Sequence, residues 1–97
     1  MAVEGKGYKR SEIMDLNSAR LLINHIDKEI VKLLEKRFNI VLEIGDYKKA
    51  NGIPIYDEER EKAVLQKCIG YLDDTNYEKS ITDIYTQIMN SSKELEK

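Results

Sequence analysis

From Ile23 onward the apolar positions run Ile23, Ile26, Ile30, Leu33, then Arg37, then Ile40, Ile44 and Tyr47, in steps of three and four. That spacing places the residues on one face of a long helix, a seam meant to pack on other helices. Arg37 interrupts the seam at mid-length. A guanidinium buried there without a partner costs on the order of several kcal/mol, so an anion is expected opposite it. Either the protein or a ligand supplies that anion.

The helix is expected to begin between Ser11 and Asn17, because Ser11, Asp15 and Asn17 can each cap it. It should run to about Ala50, where Asn51-Gly52 and then Pro54 bring it to a stop. Some 35 residues at 1.5 Å each make roughly 50 Å. A compact domain of 97 residues is only about 30 to 35 Å wide. The helix therefore needs cover beyond its own chain, and a symmetric second copy supplies it, which predicts a dimer. Gly45 weakens the helix by about 1 kcal/mol, but the seam continues through it to Tyr47.

Asp57 opens a second helix, with Glu58 and Glu59 in the first turn, where the helix dipole favours acids. Its stripe is Val64, Leu65, Cys68, Tyr71 and Leu72, weakened by Gly70 and ended by the polar turn Asp73-Asp74-Thr75-Asn76. A third helix carries Ile81, Ile84, Tyr85, Ile88, Met89, Ser92 and Leu95. No segment alternates with period two, so no strand is expected. The predicted fold is all-α, with three helices per chain and one very long N-terminal helix. Residues 1–10, with Gly5 and Gly7 and no periodicity, are expected to form a mobile head, and residues 11–97 one helical domain.

Composition narrows the function. Lys plus Arg number 16 and Asp plus Glu 18, and a net charge of -2 argues against a binder of nucleic acid through a basic surface. No apolar run approaches the roughly 20 residues that span a bilayer, and no signal-peptide core is evident, so a cytoplasmic location is expected. One cysteine, Cys68, and one histidine, His25, leave neither a disulfide framework nor a zinc set. No metal or cofactor is expected.

Several polar residues fall on core-facing stripes. Arg37 and Lys48 are 11 residues apart, three turns plus about 20°, so they share a face roughly 16 Å apart along the axis. Two long cationic side chains so placed can grip one small molecule. Asp57 and Glu61 are one turn apart and lead into the Val64 stripe, while Ser92 and Glu96 extend that of Tyr85, Ile88 and Met89. Plainer readings stand beside these. Arg37 with Glu61 can form a structural ion pair, Asp57 can be only a cap, and Ser92 only a small residue. Glu96, next to last, can be frayed and solvated, with Cys68 in the core and His25 on the surface. Arg20 lies 17 residues before Arg37, roughly 25 Å along the helix and about 100° around it. If Arg20 binds the same ligand, it does so in the site of the other subunit.

Arg20-x6-Asp27, Arg37, Ile44-Gly45-x-x-Lys48 and the run Gly52-Ile53-Pro54-Ile55-Tyr56-Asp57-Glu58-Glu59-Arg60-Glu61 resemble the all-α class of chorismate mutases. The resemblance covers about residues 15 to 97 and is most specific from Lys48 to Glu61. It implies three helices per chain in an intertwined homodimer with two active sites. It also implies that Arg37 binds a substrate carboxylate from its own chain and Arg20 one from the neighbouring chain. Lys48 would contact a carboxylate and the ether oxygen, Asp57 and Glu61 the ring hydroxyl and its surroundings, and Ser92 a carboxylate. Arg60 would support the pocket.

Glu96 departs from the commoner pattern of that family, a glutamine whose amide donates to the ether oxygen. An ionised carboxylate there repels a dianionic substrate, so Glu96 is expected to serve protonated, favoured by burial beside other anions, with activity best at mildly acidic pH. The reaction implied, chorismate to prephenate, is a single intramolecular rearrangement in the synthesis of phenylalanine and tyrosine. It needs no nucleophile and no cofactor, only a held conformation and stabilised charge on the breaking C–O bond. Two other readings remain: an isochorismate-pyruvate lyase of the same fold, and a catalytically weak helical dimer acting as a regulatory module. No fused dehydratase, dehydrogenase or synthase is expected in this chain.

Overall fold

The computed structural model describes residues 15–97, and three helices account for most of them. The expected mobile head at 1–10, and Ser11 as a cap, lie outside the described residues. Helix α1 is Leu16–Asn51, α2 is Glu58–Gly70 and α3 is Glu78–Glu96, with a short 3-10 turn, Thr75–Tyr77, leading into α3. Among the described residues there is no strand. The all-α, three-helix expectation is met.

The chain divides between Lys36 and Arg37 into two units. The first contains the opening part of α1. Asp15 precedes the helix and accepts from Ser18 N at 2.7 Å, as a capping side chain does, and this bond holds its carboxyl below the usual carboxylate range. The apolar seam of this unit is exposed: Ile23 at 53%, Ile26 at 43%, Ile30 at 47% and Leu33 at 62%. Side chains of that size at helical spacing are left open to solvent, so nothing among the described residues covers the seam.

The second unit holds the rest of α1 together with α2 and α3. Its α1 segment corrects the expected seam. Val41 and Gly45 are the buried positions and Arg37 and Lys48 are half-buried, while Ile40, Ile44 and Tyr47 remain exposed. The inward face here runs Arg37, Val41, Gly45, Lys48, one helical step round from the apolar series. Gly45 is the reason the helices meet closely: a Cβ built on it would stand 3.0 Å from Glu96 Cα and 3.2 Å from the Glu96 carbonyl oxygen. The glycine expected to be a flaw in α1 is the place where α3 crosses it.

Helix α1 ends as its sequence requires. Gly52 takes φ +65, and Ile53 N donates to Lys48 O at 2.9 Å, the 6→1 bond of a Schellman stop. Asp57 caps α2, its side chain accepting from Arg60 N at 3.0 Å. Asp74 does the same for the 3-10 turn, accepting from Asn76 N at 2.9 Å. Helices α2 and α3 pack on one another, and the positions they withdraw from solvent include Val64, Leu65, Cys68 and Ile69 on α2 and Ile81, Tyr85, Ile88 and Met89 on α3. Cys68 is half-buried rather than fully in the core.

Candidate active site

A cavity of about 320 Å³ opens within the second unit, lined from α1 by Arg37, Val41 and Lys48, from α2 by Arg60, Glu61 and Val64, and from α3 by Met89, Ser92, Lys93 and Glu96. Asp57 and Ile55 of the connecting loop and Ile40 and Ile44 of α1 complete the wall. Four cations (Arg37, Lys48, Arg60, Lys93) thus meet three carboxylates (Asp57, Glu61, Glu96) around one apolar-floored space. The lining leaves one positive charge over, which suits an anionic guest.

Arg37 reaches across to α3, where Nη1 donates to Ser92 Oγ at 2.9 Å, and Ser92 in turn donates to Ile88 O at 2.8 Å. The guanidinium also lies 5.9 Å from the centroid of the Tyr85 ring. Neither contact is with an anion. The structural pair of Arg37 with Glu61 is not formed: Glu61 pairs with Lys93 at 2.9 Å. Each acid of the lining is engaged elsewhere, Glu96 with Lys48 and Asp57 with the first turn of α2. A half-buried guanidinium whose side-chain partners are a neutral hydroxyl and a ring face retains most of its capacity to bind a carboxylate.

Lys48 Nζ donates to Glu96 Oε1 at 2.8 Å and to the carbonyl of Ile55 at 3.0 Å. An ammonium has three protons, so one direction remains for a further acceptor. Glu96, far from being frayed, is buried at 7% exposure, and Ser92 is buried at 6%. The neighbour of Glu96 is a cation, where the sequence reading expected other anions. Burial pushes the Tyr85 phenol up, the Cys68 thiol beside it adding to the effect and Arg37 opposing it. Among the described residues no cluster of three His, Cys, Asp or Glu side chains is gathered as metal ligands.

Of the residues singled out in the sequence, Arg37, Lys48, Asp57, Glu61, Ser92 and Glu96 therefore meet at one cavity. Arg20 belongs to the first unit, where it is exposed. Two contributors were not anticipated. Lys93 follows Ser92 and reads in sequence as a surface lysine, yet it lies half-buried over the Tyr56 ring at 4.7 Å. Gly45 reads as a helix defect, although its place between Ile44 and Lys48 on the inward face was a usable signal.

The chain belongs to the family described as chorismate mutase type II, which matches residues 19–97. It is 30% identical over 86 residues to the chorismate mutase of Methanocaldococcus jannaschii, a match covering 88% of this chain and 87% of that protein. It is 55% identical over 53 residues to the bifunctional chorismate mutase/prephenate dehydratase of Buchnera aphidicola subsp. Schizaphis graminum, covering 55% of this chain but 14% of that protein. A T-protein of Enterobacter agglomerans is 40% identical over 53 residues, again 14% of its length. The chain thus spans only a small part of these two longer relatives.

Proposed function

We propose that the protein is a chorismate mutase, an isomerase converting chorismate to prephenate for aromatic amino acid synthesis. The observation that carries this reading is Arg37: a half-buried guanidinium whose side-chain partners among the described residues are the neutral Ser92 hydroxyl and the Tyr85 ring face, at the wall of a cavity about 320 Å³ in volume. A dicarboxylate of small-molecule size fits both the volume and the cationic surplus. Family membership over residues 19–97 supports the same chemistry.

In this reading Arg37 and Ser92 hold one carboxylate of the substrate. Lys48 contacts a carboxylate and the ether oxygen, giving up its bond to Glu96 to make the second contact, and so meets the charge that develops as the C–O bond breaks. Asp57 and Glu61 face the ring hydroxyl, Arg60 supports them, and Glu96 donates to the ether oxygen in its protonated form. Fixing both carboxylates holds the enolpyruvyl arm over the ring, so the rearrangement starts from a conformation that is rare in water.

The second carboxylate is assigned to Arg20 of a partner copy. The exposed seam of Ile23, Ile26, Ile30 and Leu33 supports a homodimer, because large side chains at that spacing are the kind that a second helix covers. The catalytic domain is taken as residues 11–97. Among the described residues no helix is long and apolar enough to cross a membrane, in keeping with work in the cytoplasm.

The test is an assay of chorismate consumption by the pure protein, with product identified. Prephenate supports the reading. Salicylate and pyruvate from isochorismate would assign a lyase instead, and inertness toward both, with no binding of a bicyclic transition-state mimic, a non-catalytic module.

A further inference from the structure

Lys93 is the charged group of the cavity that the reading above leaves without a role. Its ammonium pairs with Glu61 Oε2 at 2.9 Å, the two side chains being 26% and 25% exposed, and lies 4.7 Å from the centroid of the Tyr56 ring. It thus leaves α3 and meets both α2 and the loop that joins α1 to α2. Fully exposed pairs of this kind hold little; one sheltered to this degree, with an aromatic face on the cation, keeps its geometry better.

Resting on the chorismate mutase reading, we propose that Lys93 is a positioning residue that acts through Glu61. With one carboxylate oxygen taken by Lys93, the direction of the other is fixed, and it becomes a placed acceptor for a hydroxyl of the guest. Lys93 also offsets a negative charge that would otherwise face a dianion across the cavity. Glu61 without Lys93 repels the substrate; Glu61 with Lys93 recognises its hydroxyl. The pair therefore selects for a dicarboxylate that also carries a ring hydroxyl, and it acts on substrate binding more than on the rearrangement.

The experiment compares wild type, Lys93→Met, Lys93→Arg, Glu61→Gln and the Lys93→Met/Glu61→Gln double variant in steady-state kinetics with chorismate, alongside thermal melts. Methionine keeps an apolar stem on Tyr56 while removing the charge. Lys93→Met is expected to raise KM about tenfold with a much smaller change in kcat. Lys93→Arg should recover most of that loss. In the Glu61→Gln background the same Lys93→Met change should leave KM nearly where Glu61→Gln alone puts it, because the carboxylate it serves is gone. Additive KM effects in the double variant, an unchanged KM in Lys93→Met, or a parallel fall in melting temperature and kcat without a KM change would each overturn the proposal. A wild-type protein that leaves chorismate untouched would instead sink the reading of the site, a result told apart by the first sample in the series.

Discussion

Lys48 and Glu96 face each other across 48 positions of sequence, ammonium to carboxylate at 2.8 Å, with Glu96 among the most buried residues of the described chain. The pair joins the end of α1 to the end of α3 at the cavity wall. The role proposed for Glu96 is that of hydrogen-bond donor to the ligand's ether oxygen, and a carboxyl group donates only in its protonated form. Turnover is therefore expected to be faster at about pH 5 than at about pH 8, and Glu96→Gln, which donates at any pH, should flatten the profile. A wild-type rate that does not change across this range speaks against the role.

Arg37→Ala and Lys48→Ala should each lower kcat/KM on the order of a hundredfold or more, the usual loss for a preorganised donor. The oligomeric state, measured by sedimentation, should not change. Ser92→Ala should cost less, since it removes a neutral hydroxyl that contacts Arg37 and, in the proposed site, the carboxylate, and leaves the cation in place. If Arg37→Ala unfolds the protein or disperses its oligomer, Arg37 is a structural residue.

Gly45→Ala brings two effects into opposition. Alanine is the better helix former by about 1 kcal/mol. The added methyl, however, meets Glu96 Cα at 3.0 Å, a backbone atom that cannot swing aside, and overpacking of this kind costs about 1 to 3 kcal/mol. A net loss of stability of roughly 1 kcal/mol is expected in urea unfolding, with activity falling further because Glu96 is displaced. A more stable and fully active variant would show that α3 moves away freely.

Leu33→Glu places a charge in the exposed seam of the first unit. If a second copy covers the seam, the substitution should shift the protein to monomer in sedimentation and abolish turnover, since each site then lacks the Arg20 of its neighbour. A monomeric wild type would remove the basis for both expectations.

Helix ends and fold class were legible in the sequence because they depend on local chemistry. Asp57 caps α2 and Gly52 ends α1 through interactions within a few residues of themselves. The convergence of Arg37, Lys48, Glu61, Ser92 and Glu96 followed from helical spacing and family motifs together. Partner choice did not. Whether Glu61 meets Arg37 or Lys93 depends on where three helices cross, and spacing along a single helix carries no such information. Nor could periodicity separate the exposed series Ile40, Ile44, Tyr47 from the inward series Arg37, Val41, Gly45, Lys48, because three of the four inward residues are polar or lack a side chain.

The loop between α1 and α2 is fastened by the same side chains that line the cavity. Lys48 holds it at the Ile55 carbonyl and Lys93 at the Tyr56 ring. A guest that draws either lysine toward itself slackens that fastening. Occupancy should thus be readable at a distance from the chemistry, as faster hydrogen exchange or easier proteolysis in residues 52–56, which makes this short connector a built-in reporter of what the cavity holds.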